Sequence, residues 1–155
     1  MGIEIERKFL VKHDIWQQQA KPAGTVMRQG YVVNETGKTI RLRITDTKAY
    51  ITFKSGTQGI SRAEFEYEIP VADATELFDL FVESGIEKTR YNITYQDKIW
   101  EVDVFSGDNQ GLIVAEIELD TENEKFELPP WAGPEVSDDE HYYNSSLSVT
   151  PFQKW

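Results

Sequence analysis

The sequence predicts an α+β fold: a closed antiparallel barrel of eight strands with a polar, charged interior and helices packed outside. Strand-like segments follow one another with short turn signals between them, which favours antiparallel neighbours. Within these segments charged and apolar side chains alternate with a period of two, so that each strand has one ionic and one apolar face. Closing the sheet shelters the ionic faces and removes the exposed edges.

The elements follow in order. Residues 2–11 set Glu4, Glu6 and Lys8 against Ile3, Ile5 and Phe9, and a short helix near 13–20 carries Trp16. Strands are expected at 25–34, 38–46 and 48–55, the first two joined through Glu35-Thr36-Gly37-Lys38. In 38–46, Arg41 and Arg43 alternate with Ile40, Leu42 and Ile44. In 60–70, Arg62, Glu64, Glu66 and Glu68 alternate with Ala63, Phe65, Tyr67 and Ile69. A helix over 73–84 is predicted from the capping-box spacing of Asp73 and Glu76, the Leu77, Leu80, Phe81 stripe, and Gly85 as its stop. Strands at 87–95, 98–105 and 111–120 complete the set, turning at Gln96-Asp97 and Ser106-Gly107-Asp108, with Glu116 and Glu118 alternating in the last. Segment 127–137, with three of the six prolines, reads as a loop, and 140–148 as a helix on the barrel.

Composition narrows the class. The 155 residues suit one domain, 1–155, with 39% hydrophobic residues and no run long enough for a membrane span. No signal peptide is legible and cysteine is absent, so a cytoplasmic location is expected and thiolate metal sites are excluded. A net charge of −11, from 27 acidic and 16 basic residues, argues against a nucleic-acid polymer as partner. Converging ionic faces would instead form a concave site with cations for a small polyanion and carboxylates for a metal.

These residues form an ordered series: ExExK at Glu4, Glu6 and Lys8; RQGY from Arg28 to Tyr31; RLR from Arg41 to Arg43; TFKSG with Lys54; SRAEFEYEI; KTRY with Lys88 and Arg90; WEVDVF with Asp103; GLIVAEIEL with Glu116 and Glu118; and a terminal HYYNSSLS. Over nearly its whole length the chain resembles the CYTH superfamily, the triphosphate tunnel metalloenzymes, and most of all its short bacterial members. The resemblance implies a metal-dependent phosphoanhydride hydrolase acting on a small polyphosphate-containing substrate, with inorganic triphosphate favoured because the chain has little insertion for a base or thiazole pocket. An adenylyl cyclase and a non-catalytic polyphosphate- or nucleotide-binding module are the alternatives. A homodimer is compatible with this reading, and no membrane partner is expected.

Residue roles follow. Lys8, Arg28, Arg41, Arg43, Lys54, Arg62, Lys88 and Arg90 are the candidate substrate contacts, since arginine forks and lysine ammonium groups replace the hydration of phosphate. Glu4, Glu6, Glu64, Glu66, Asp103, Glu116 and Glu118 are the candidate metal ligands, and hard oxygen donors favour Mg²⁺ or Mn²⁺. Lys8, Lys88 and Asp103 are the candidate catalytic residues; Asp103 could equally be the ion-pair partner of a tunnel arginine. Arg28 and Tyr31 have opposite parity in their strand, so only one of them can face inward. His13 and His141 read as cap or surface residues, and Trp16, Trp100 and Trp131 as packing.

Overall fold

A computed structural model describes residues 2–155. The strands are β1 (Gly2–Val11), β2 (Thr25–Glu35), β3 (Lys38–Ile44), β4 (Ala49–Ser55), β5 (Ser61–Ile69), β6 (Gly85–Tyr95), β7 (Lys98–Ser106), β8 (Ile113–Glu118) and β9 (Ala132–Glu135). The helices are α1 (His13–Gln18), α2 (Val71–Phe81) and α3 (Asn144–Leu147). Neighbours run β5-β4-β3-β2-β6-β7-β8-β1, and β5 pairs back onto β1, which closes eight antiparallel strands into a cylinder. The β6–β7 turn places Gln96 and Asp97 at φ 48° and 62°, the left-handed pair that a tight hairpin matched to strand twist requires.

The ninth strand was not expected. It lies within the proline-bearing 127–137 segment read as a loop, and it pairs with β1 at Phe9 and Val11, beyond the part of that edge that β5 occupies at residues 2–5. Only one side of β9 is paired, so Pro134, which has no N–H to donate, is tolerated there.

The outer apolar face is covered in two ways. On the β6-β7-β8-β1 side, Phe9, Trp100, Val102, Ala115 and Ile117 pack under Trp16 of α1 and under Phe126 and Trp131 of the connecting segment. Trp100, Trp131 and Trp16 meet edge to face at 5.7 Å, the offset geometry that aromatic quadrupoles favour. On the β2-β3-β4 side the cover is α2, whose bounds and buried face both differ from expectation. The helix starts after Pro70 with no side-chain cap, and it ends at Phe81; Gly85 opens β6 instead of stopping the helix. Ala74 and Phe78, four apart, are buried, whereas Leu80 and Phe81 of the expected stripe are exposed.

Gly30 lets α2 lie this close. A Cβ there would stand 2.3 Å from Val82 Cγ1 and 2.9 Å from the Phe78 ring. Gly30→Ala is therefore expected to destabilise the fold by roughly 1–3 kcal/mol through overpacking. Urea unfolding checks this; an unchanged midpoint would mean that α2 shifts freely.

The interior also departs from expectation. It is not polar throughout: Leu10, Ile86, Phe105, Leu112 and Val114 fill one end, and the fully buried Leu147 of α3 inserts among them. The predicted 140–148 helix is a 3-10 turn at Glu140–Tyr142 followed by the single turn of α3, and it seals the barrel end instead of lying along its side.

Candidate active site

Register brings the ionic faces together. Glu6 lies opposite Glu118 and Lys8 opposite Glu116 across β1 and β8, Glu4 opposite Arg62 across β1 and β5, and Arg90 opposite Asp103 across β6 and β7. With Arg41, Arg43 and Lys54 on β3 and β4, these side chains share the barrel interior. They leave a cavity of about 50 Å³, lined by Glu6, Lys8, Tyr31, Arg41, Lys54 and Arg62.

Most charges hold one another. Asp103 is a hub: Lys88 Nζ donates to its Oδ2 at 2.7 Å, and Arg90 forks onto both oxygens at 2.7 and 2.9 Å. Burial opposes ionisation of Asp103, but Lys88 and Arg90 outweigh it and hold its carboxyl below the ordinary range. Burial drives Lys88 down to about 7 despite Asp103, helped by Arg90 and Arg43. Arg90 also reaches Glu101 at 3.1 Å. Toward the other side, Glu4 accepts from Lys54 at 3.2 Å and from Arg62 at 3.0 Å, and Lys54 lies 3.3 Å from Glu64. Arg41 contacts Thr52 at 3.1 Å and Glu66 at 3.3 Å.

Arg43 is the exception. Among the described residues no carboxylate lies within ion-pair distance of it, and its Nε donates only to Gln29 Oε1, at 2.8 Å. Burial, with Arg41 and Arg90 nearby, lowers its pKa to about 10.

The acids show the opposite imbalance. Burial and the neighbouring Glu116 and Glu4 push Glu6 well above the usual carboxylate range. Glu116 is held well below that range, since Lys8 and a hydrogen bond with Glu6 outweigh burial. Glu118 and Glu64 are raised by burial and then by Glu4. Crowded oxygen donors that resist joint ionisation are a setting that a hard divalent cation relieves, so the residues fit such an ion. Among the described residues, no three of them are pre-arranged around a common point.

Arg28 is not brought into the site. β2 turns it outward with Gly30, where its guanidinium stacks 3.9 Å above the Phe78 ring and sits 4.0 Å from Asp79. The inward parity belongs to Gln29 and Tyr31, and burial raises the Tyr31 hydroxyl above its ordinary pKa. Gln29 and Thr52, which contact Arg43 and Arg41, carried no signal in the sequence because uncharged side chains show no ionic alternation. The terminal HYYNSSLS motif reaches the same interior: Lys8 Nζ donates to the Tyr142 carbonyl at 3.1 Å, Lys88 lies 3.4 Å from Asn144 Oδ1, and Tyr143 and Ser145 line the cavity.

Comparison with known proteins agrees with this geometry. The family model of the CYTH domain matches residues 2–151. The chain is 45% identical to an inorganic triphosphatase of Acetivibrio thermocellus, spanning 100% of this chain and 99% of that protein. It is 37% identical to an inorganic triphosphatase of Nitrosomonas europaea, over 95% and 97% of the two chains. A solved structure of the inorganic triphosphatase NE1496 superposes with a TM-score of 0.65 at 33% identity, covering 94% of each chain.

Proposed function

The chain belongs to the CYTH domain family, and on that premise we propose that it hydrolyses the terminal phosphoanhydride of inorganic triphosphate, with Mg²⁺ or Mn²⁺ as its cofactor. One observation carries the substrate side of this reading: Arg43, enclosed beside Arg41 and Arg90, has no carboxylate within ion-pair distance among the described residues. Buried cations are costly unless paired, and a polyanion supplies the missing partner.

In the free protein Arg41, Lys54 and Arg62, which line the cavity, are each held by a carboxylate. Binding therefore exchanges partners. Lys54, Arg62 and Arg41 leave Glu4, Glu64 and Glu66 for phosphate oxygens, and the freed carboxylates become available to a cation. Glu6, Glu116, Glu118 and Glu4 would hold the ion, with Glu64 and Glu66 close by. When bound, it neutralises phosphate charge and polarises a water.

The chain's own residues do the rest. Arg41, Arg43 and Arg90 fix the phosphate chain, and positioning with charge neutralisation is most of what phosphoryl transfer requires. Lys8 and Lys88 counter the charge that develops as the terminal P–O–P bond opens. Water adds to the terminal phosphorus, pyrophosphate leaves, orthophosphate forms and one proton is released. Asp103, occupied by Lys88 and Arg90, acts as a positioning residue.

Phosphate release from tripolyphosphate, ATP and thiamine triphosphate, each with Mg²⁺ and with Mn²⁺, tests the reading. Orthophosphate and pyrophosphate in equal amounts from tripolyphosphate are expected. Cyclic AMP from ATP would make the protein a cyclase, and tight binding without turnover a binding module.

Lys88 adds a pH signature. With its pKa at about 7 it is largely neutral in the free protein at about pH 8, and a bound polyanion favours its charged form. Metal-free binding of tripolyphosphate should then take up a proton, measurable by calorimetry in buffers of unequal ionisation enthalpy. Equal uptake in Lys88→Met would assign that proton elsewhere.

A further inference from the structure

Gln29 stands in the barrel interior between Arg43 of β3 and Ile86 of β6, with 0% of its surface exposed. Its Oε1 accepts from Arg43 Nε at 2.8 Å. That contact fixes the amide's orientation, because rotating it would set an NH₂ against a guanidinium N–H, donor against donor. Nε2 is then left buried with no partner among the described residues, and so is Nε of the adjacent Arg41. A buried amide donor without an acceptor is expensive, and both orphaned donors lie next to Arg43, which among the described residues has no carboxylate within ion-pair distance.

We propose that Gln29 is a substrate-positioning residue of this site. Its Oε1 holds the Arg43 guanidinium toward the interior, and its Nε2 donates to a non-bridging oxygen of the bound phosphate chain. An amide suits both tasks. A carboxylate at this position would neutralise Arg43 and repel the anion, whereas an apolar side chain would leave the fork unanchored. The inference rests on the triphosphate reading above and adds a neutral donor to a set of contacts otherwise made by charged groups.

Gln29→Met keeps the length and removes both polar atoms; Gln29→Glu keeps the shape and replaces the donor with an acceptor. Equilibrium binding of tripolyphosphate should weaken by about tenfold in the first and by about a hundredfold in the second, for one and two lost factors of ten in affinity. KM should rise more than kcat falls, since a positioning contact is already made in the ground state. In the wild-type protein labelled with nitrogen-15, the Gln29 side-chain amide protons should move downfield as tripolyphosphate is added.

Variant affinities within about twofold of wild type would overturn the proposal. So would a wild-type Gln29 amide resonance that does not respond to a ligand that binds, and this second readout holds even where a variant fails to fold. If wild-type protein neither binds nor cleaves tripolyphosphate, the functional reading fails instead, and that outcome is distinct.

Discussion

Glu116→Gln and Glu6→Gln should each abolish metal-dependent cleavage of tripolyphosphate, by more than the roughly 10–100-fold that a change behind the ligands costs. The two substitutions should differ in every other respect. Glu6 is already disposed to keep its proton, because burial and the charges of Glu116 and Glu4 oppose its ionisation, so an amide there mimics the resting group and the fold should melt unchanged. Glu116 is the charged member, with Lys8 Nζ 3.9 Å away, and its neutralisation leaves buried cations less balanced. The Glu116→Gln protein should therefore also lose stability. Turnover assays with Mg²⁺ and Mn²⁺, alongside thermal melts, separate the two effects. Full activity in both variants would remove these acids from the catalytic centre.

Asp103→Asn should produce the largest stability loss. The carboxylate is the common partner of the buried Arg90 guanidinium and of Lys88 Nζ, and breaking a buried pair from one side costs roughly 3–5 kcal/mol. At about 2–4 °C per kcal/mol for a protein of this size, Tm should fall on the order of 10 °C. Tripolyphosphate should restore part of that loss, because the anion supplies the counter-charge that the aspartate gave up and binds only the folded protein. The same addition should raise the wild-type Tm by less. A melt within about 2 °C of wild type would show that Lys88 and Arg90 find other partners.

Alternation carried most of what the sequence disclosed. Glu4, Glu6 and Lys8, Arg41 and Arg43, and Glu116 and Glu118 all face the interior, because a period of two leaves a strand no other way to bury its apolar side. Where both parities of a strand carry polar residues, that logic has nothing to choose by. In β2, Arg28 and Gly30 compete with Gln29 and Tyr31, and the decision was made by α2, which needs a glycine beneath Phe78 and Val82. The ninth strand was hidden for a related reason, since four residues paired on one side have little composition of their own. The sealing of the barrel by α3 depends on Leu147 meeting side chains more than thirty residues away in sequence, which no local pattern encodes.

That greasy stopper makes the chamber a blind alley. On the proposed triphosphate reading, substrate and both products would share the opposite end of the barrel. A long linear polyphosphate could present only its terminus, and it would be shortened from that end rather than cut in the middle.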